Sequence, residues 1–345
     1  MTAMSGITAQ TWGSALTIAA VLVVLGLALR FAVPRRRTRP VRLKVLARAL
    51  LPARMVRSAS GRADIGWFLF GILLSGTMLG WALWSSDWFS VQVHDALTGW
   101  FGAPAPAALP GWVASAAMTL ALYLAYEFAY WLDHCLSHRV PALWAFHKVH
   151  HTAESLSPLT NHRVHPVDTI VFYNIVAVIS GVTAALVSFG FGHAVNGAAI
   201  QGTNALIFLT TILFTHLQHT HLWISLPGRW GNMLMSPAHH QIHHSADVRH
   251  HDRNFGSSLA LFDWLFGTLH RPTTRRERCP PGRGAPRACG ASGRSSGRPR
   301  ARRRRASGPR RRSAARPWRR RARRAARSPR GSGATRPRGR APAGP

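Results

Sequence analysis

Histidines are the residues in this chain most able to do chemistry, and they are crowded. Seventeen of the 19 histidines lie between His134 and His251. One HxxxH motif and two HxxHH motifs occur among them, and histidines three or four positions apart share one face of a helix, so their imidazoles can reach a common metal ion. The motif histidines are His134, His138, His147, His150, His151, His240, His243 and His244.

The spacing within the HxxHH motifs indicates two metal ions rather than one. In each HxxHH motif the last two histidines lie on the same helix face as the first, but their side chains splay apart toward different points. In addition, eight or more nitrogen ligands exceed the number that one ion can bind. Without a metal, such a cluster would bury unpaired polar nitrogens and repel on protonation. Imidazole suits iron, zinc and copper alike, so ligand type does not choose among them. The three cysteines form no CxxC motif and no disulfide framework.

Other polar residues have two interpretations that the sequence leaves open. The acids Asp133, Glu127, Asp168 and Glu154 either orient a ligand imidazole through its second nitrogen or pair with nearby cations. A lone histidine is usually solvated or hydrogen-bonded, as we expect for His94, His193 and His270. The motifs assign no role to a further set, namely His162, His216, His239, His250 and His251.

Apolar runs predict an all-α integral membrane protein with about five transmembrane helices, since a span needs about 20 mostly apolar residues. Positive charge follows the first run and does not precede it, which favours an uncleaved anchor with its N-terminus outside. The fifth run is diluted by polar residues and could be a re-entrant or partly embedded helix. The runs are Ala15–Val33, Trp67–Trp84, Val113–Trp131, Ile170–Phe191 and Ala198–Phe214.

The charge pattern predicts that the histidine motifs share one side of the membrane. Ten Lys and Arg residues between Arg35 and Arg62 place that loop in the cytoplasm. Alternation then puts Asp87–Leu109 and Gly192–Gly197 outside, and it puts His134–Asp168 and everything after His216 inside. Histidines that are far apart in sequence would therefore meet in a histidine-rich helical cap on the cytoplasmic face.

Charge also separates the body from the C-terminal tail. The net charge of +33 divides into +7 for residues 1–270 and +26 for residues 271–345, where 27 Arg stand against one acid. Such an Arg/Pro/Gly/Ala-rich segment cannot bury a core, and we expect it to be disordered. It is either a polycation that attracts anionic lipid or nucleic acid, or sequence read out of frame from a GC-rich gene, which we favour. We expect no specific nucleic-acid partner.

Over Tyr126–Thr268 the sequence resembles the fatty acid hydroxylase/sterol desaturase superfamily. The resemblance is carried by YEFAYWLDHCLSHRVPALWAFHKVHHTAESLSPLTNHRVHP, by HTHLWISLPGRWGNMLMSPAHHQIHHS and by NFGSSLALFDWLFGTL. The apolar runs and the charge pattern predict N-terminal membrane anchor helices with a basic cytosolic loop in residues 1–110, and the resemblance implies a catalytic domain in residues 111–270. By position, His165 matches the intermediate box, and His219 and His221 match the element before the last box; these three join the eight motif histidines as implied metal ligands.

The resemblance implies a membrane-bound oxygenase with two non-haem iron ions, for which zinc can substitute. Such an enzyme hydroxylates or desaturates a fatty acyl or sterol-like lipid, with O2 as co-substrate. The sequence has no dinucleotide, flavin or haem motif, so electrons would come from a separate reductase with a cytochrome or ferredoxin. We expect no catalytic residue apart from the metal ligands. The alternatives are a zinc-dependent membrane hydrolase and a non-catalytic membrane metal-binding protein.

Overall fold

The structure is a computed structural model that describes residues 57–71, 79–200, 202–226 and 228–277, together with Ala53 and Leu73. The predicted span Ala15–Val33, most of the basic loop and the tail after Glu277 lie outside the described residues. The described part is mostly helical, as the apolar runs predicted.

Ten α-helices occur within the described ranges, and a hairpin of two two-residue strands precedes the sixth of them. They are α1 (Ala59–Phe70), α2 (Ser86–Phe101), α3 (Gly111–Arg139), α4 (Pro141–His151), α5 (Pro166–Phe191), α6 (Ala205–Thr210), α7 (His216–Gln218), α8 (Trp230–Met233), α9 (Pro237–His243) and α10 (Leu261–Leu265). The antiparallel strands are β1 (Ala199–Ile200) and β2 (Thr203–Asn204), with Ala199 opposite Asn204.

Helices α3 and α5 are the two described helices that are long and apolar enough to cross a membrane. They contain the predicted spans Val113–Trp131 and Ile170–Phe191. Prolines and a glycine set their ends: Pro141 stops α3 and starts α4, and Pro166 starts α5. Gly192 ends α5 in the left-handed conformation at φ 72°, which a residue without Cβ adopts at little cost.

Helix α2 packs along α5, although the charge pattern assigned Asp87–Leu109 to an outer loop. A Cβ on Gly181 would lie 2.4 Å from the Ser86 carbonyl oxygen and 2.6 Å from the Phe89 Cβ, so only glycine permits this approach. Because Gly181 lies in the middle of α5, α2 begins beside the apolar span rather than beyond its end. Hydropathy did not indicate this helix because Asp87, Gln92 and Asp95 interrupt its apolar residues.

The weakest predicted span, Ala198–Phe214, is divided in the structure. It contains the β1–β2 hairpin and then a short apolar helical stretch, Ala205–Thr215. Asn204 causes the break, since its side-chain oxygen accepts hydrogen bonds from the backbone N–H groups of Leu206 and Ile207 and thereby caps α6. A continuous 17-residue apolar helix is therefore not formed here.

Candidate metal centre

Nine buried histidines form two adjacent groups in which the candidate ligand nitrogens all lie within 4.8 Å of one another. All eight motif histidines are included, and His219 is the ninth. The first group is His134, His138, His147, His151 and His243; the second is His150, His219, His240 and His244.

Four elements position the rings, and two of them serve both groups. Helix α3 supplies two rings of the first group from its last turns, and the residue that ends α7 supplies one ring of the second. Helix α4 gives His147 and His151 to the first group but His150 to the second. Helix α9 and its C-cap residue divide the last motif in the same way. The splayed histidines of each HxxHH motif thus point to different groups.

The Nε2 atoms in the second group lie at distances that metal ligands adopt. His219 Nε2 is 3.0 Å from His150 Nε2 and 2.8 Å from His240 Nε2, and His244 Nε2 is 3.0 Å from His240 Nε2. Two nitrogens at right angles around an ion with bonds of about 2.0–2.1 Å would be about 3.0 Å apart. In the first group, the Nε2 atoms of His243 and His151 are 3.2 Å apart.

Backbone carbonyls and one carboxylate hold the opposite nitrogen of several rings. His134 Nδ1 donates to the Phe255 carbonyl oxygen at 2.8 Å, and His243 Nδ1 donates to that of Arg253 at 2.9 Å. His147 Nδ1 lies 3.0 Å from Asp168 Oδ2. A carbonyl oxygen only accepts, so Nδ1 must carry the proton and Nε2 presents its lone pair to the group. This arrangement fixes both the tautomer and the orientation of a ligand histidine.

Burial keeps the rings of the second group neutral. It lowers the pKa of His150 to about 3, helped by the neighbouring His147 ring. Burial, followed by the nearby imidazoles, likewise lowers the pKa of His219, His240 and His244 well below the usual value. A neutral imidazole is the form that binds a metal ion.

The loop after α9 supplies two of the supporting carbonyls. It runs through Asp252 and Asn254, which have φ values of 56° and 59°. Asp263 holds the loop by accepting hydrogen bonds from the backbone N–H groups of Phe255 and Gly256 at 2.9 and 2.7 Å. No sequence pattern identifies Arg253 and Phe255 as residues that act through their backbone, because that role depends on the loop conformation.

Of the two acids near the first motif, Glu127 anchors this loop and contacts no ligand ring. Its carboxylate accepts hydrogen bonds from the backbone N–H groups of Ser258 and Leu259 and from the Ser258 hydroxyl. Asp133 is buried, and no hydrogen-bond partner for its Oδ1 lies among the described residues. Asp168 is the acid that orients a ligand, one of its two predicted alternatives.

Arg163 connects the second histidine motif to helix α1. Its backbone carbonyl accepts from His150 Nδ1 at 3.3 Å, while its guanidinium contacts Asp64 Oδ1 at 2.7 Å and the Ser60 carbonyl oxygen at 2.6 Å. Thr160 donates to the other oxygen of Asp64. Asp64 and Ser60 precede the family-like segment, so the motifs could not identify them.

Two of the eleven predicted ligands, His165 and His221, lie in neither group. His165 caps α5, since its Nδ1 accepts from the Val167 N–H at 3.2 Å. A ligand role for both residues stays a prediction. His239, which the motifs left unassigned, stabilises the fold: its Nδ1 accepts from the Ser236 N–H and its Nε2 donates to the Gly231 carbonyl oxygen.

The two groups fit a pair of metal ions better than a set of hydrogen bonds. The Nε2 atoms of His134 and His147 are buried and have no hydrogen-bond partner among the described residues. A buried polar atom without a partner costs about 1–3 kcal/mol, and several such atoms aimed at common points indicate ions that bind there. The donor set is entirely imidazole, which is compatible with iron and zinc.

Comparison with known proteins agrees with this interpretation of the site. The fatty acid hydroxylase family model matches residues 119–268, which contain all nine histidines and the supporting loop. As the motifs predicted, that part of the chain is similar to members of the fatty acid hydroxylase/sterol desaturase superfamily.

Relatives of known name match part of the chain at low identity. Human alkylglycerol monooxygenase is 26% identical over 150 residues, which are 43% of this chain and 29% of the relative. Ornithine lipid hydroxylase OlsE of Rhizobium tropici is 26% identical over 159 residues, 45% of this chain and 42% of the relative. A cholesterol 25-hydroxylase-like protein of Danio rerio is 28% identical over 164 residues, which are 44% of this chain and 54% of the relative.

The chain thus spans less than half of the first two relatives and about half of the third. No solved structure matches the chain at a comparable level of significance.

Proposed function

We propose that this protein is a membrane-bound di-iron oxygenase that hydroxylates or desaturates a C–H bond of a fatty acyl or sterol-like lipid. The observation that carries the proposal is the pair of buried imidazole groups at the end of α3, which is one of the two described helices long and apolar enough to cross a membrane. The names of the relatives, which include a monooxygenase and lipid hydroxylases, support a lipid substrate.

Iron bound in the two groups would supply the redox chemistry that activates O2, so that an unactivated C–H bond can be oxidised. The chain's own residues then have three tasks. The nine histidines hold the ions, Asp168 and the carbonyls of Arg253 and Phe255 orient the rings, and Phe255 shields them from water. Phe255 is fully buried, and its ring packs against His134, His138 and His243. Exclusion of water protects a reactive centre from side reactions.

Two electrons per turnover would come from a separate reductase, because the sequence contains no motif for a flavin, haem or nicotinamide cofactor. In this proposal the chain is a multi-pass membrane protein with three parts: residues 1–110 as an anchor, residues 111–270 as the catalytic domain and residues 271–345 as a tail. Its histidine cap faces the cytoplasm and its N-terminus lies outside, in accord with the positive-inside rule.

The two alternatives are less well supported by the described contacts. A metal carrier needs ionisable side chains along a path through the membrane. In α3 and α5, however, Glu127 binds the Ser258 loop and Asp168 binds His147. A zinc hydrolase would use the same imidazoles, and it differs from an oxygenase in needing neither O2 nor electrons.

The test is to express the full chain in a host that lacks it, purify it with iron, and incubate it with membrane lipid extract, a chemical or enzymatic reductant and labelled O2. We expect lipids heavier by one labelled oxygen atom, or lighter by two hydrogens, only when O2 and reductant are both present. His147→Ala and His243→Ala should abolish the product, and exposed His193→Ala is the matched control. Products that form without O2, or full activity in both ligand variants, would overturn the proposal.

A further inference from the structure

A third cluster of ligand-type side chains lies outside the two groups, and we propose that it is a separate divalent-metal site. It consists of His250, His270 and Glu277, whose ligand atoms lie within 4.8 Å of one another. We call it the outer cluster. The proposal goes beyond the oxygenase function, which requires only the two inner groups.

The distances in the outer cluster suit a shared ion better than direct hydrogen bonds. Glu277 Oε2 is 3.6 Å from His250 Nε2 and 3.5 Å from His270 Nε2. Both distances exceed the range of about 2.7–3.2 Å for an N–H···O hydrogen bond. Ligands in a tetrahedral arrangement with bonds of about 2.0–2.1 Å are separated by about 3.3–3.4 Å, so only small shifts are needed.

Each ligand of the outer cluster is held by its own local contacts. His250 is 3% exposed and ends a turn in which its N–H donates to the Asp247 carbonyl oxygen at 2.9 Å. The backbone N–H of His270 donates to Asn254 Oδ1 at 2.7 Å. The second oxygen of Glu277, Oε1, accepts from the Thr273 N–H at 2.9 Å, which leaves Oε2 directed toward the two rings.

Two imidazoles and one carboxylate form a ligand set that binds zinc or ferrous iron and leaves a position for water. Zinc is the suitable probe because it has no redox chemistry. The sequence pattern predicts that His270 is solvated or hydrogen-bonded, and it assigns no role to His250. Neither interpretation could include Glu277, which no histidine motif contains.

The outer ion would hold the segment from Arg271 to Glu277 in place against the rest of the domain, and we call this role the latch. It would tie this segment to the turn after α9 and, through His270, to Asn254 in the loop that supplies supporting carbonyls to the first group. The site would therefore couple zinc binding to the order of the segment that follows the family-like region.

The experiment uses the purified full-length chain, stripped of metal and then equilibrated with buffered zinc, and it counts bound zinc per chain. Glu277→Gln and His270→Ala should each bind about one zinc fewer than the parent, and Glu277→Gln keeps the size of the side chain. Asp95→Asn and His193→Ala remove an exposed carboxylate and an exposed imidazole elsewhere, and they should bind as many zinc ions as the parent. Equal zinc content in parent and outer-cluster variants would overturn the site.

A second measurement tests the latch through trypsin cleavage after Arg275 and Arg276, followed by mass spectrometry. Zinc should slow cleavage at these bonds about tenfold in the parent and have no effect in Glu277→Gln. Equal cleavage of the parent with and without zinc would overturn the latch. Failure of the oxygenase proposal would show separately, as absence of oxygen-dependent lipid products in the parent while the outer zinc is still bound.

Discussion

The two inner histidine groups differ in how their rings are held. In the first group, His134, His147 and His243 each have an Nδ1 contact to a carbonyl or carboxylate oxygen. In the second group, His150 has such a contact, at the longer distance of 3.3 Å. For His219, His240 and His244, no partner of Nδ1 lies among the described residues. The first group is therefore more preorganised by the fold, whereas the order of the second would depend more on a bound ion.

The largest predicted effect is loss of one ion when a ligand is removed from either group. His243→Ala should lose the first ion and His240→Ala the second, each with activity reduced to background, because one missing imidazole leaves the remaining ligands around an incomplete site. Metal analysis of the purified variants checks this. If both variants bind as many ions per chain as the parent, the division into two groups is wrong.

Removing a supporting contact should have a smaller effect and should act on the first group. Asp168→Asn keeps the size of the side chain but removes the carboxylate that orients His147, and loss of such a partner costs about 10–100-fold in metal affinity or activity. Competition with a chelator measures the affinity. Asp95→Asn, at an exposed acid on α2, is the matched control and should match the parent. A parent-like affinity in Asp168→Asn would show that preorganisation does not distinguish the groups.

The smallest predicted effect is a difference between the rates at which the two groups of the unaltered protein release their ions. During slow chelation, the ion of the second group should leave several times faster than the ion of the first, because fewer of its ligands are held in place. Stopped-flow detection of the chelated metal should show two phases of about equal amplitude. A single phase would contradict the comparison.

The sequence predicted which histidines come together because the spacing of histidines on a helix is a local property. The HxxxH and HxxHH motifs lie on α3, α4 and α9, and eight of the nine grouped histidines come from them. His219 entered through family resemblance alone. The resemblance also suggested His165 and His221, which lie in neither group.

The supporting contacts could not be predicted because they depend on tertiary structure. Arg253 and Phe255 contribute carbonyl groups, which every residue has, and only the loop conformation aims them at the rings. Asp64 contacts Arg163 across 99 positions of the chain, so no local pattern connects them. The packing of α2 on α5 could not be predicted either, because polar residues interrupt the apolar pattern of α2.

The central claim is that the nine grouped histidines bind two ions, one in each group. The most direct test is anomalous diffraction at the iron absorption edge from crystals of the iron-loaded protein. At the inner groups we predict two iron peaks, one within bonding distance of His134, His147 and His243 and the other within bonding distance of His150, His219 and His240, apart from any peak at the outer cluster. A single peak shared by both groups, or no iron peak at either group, would contradict the account.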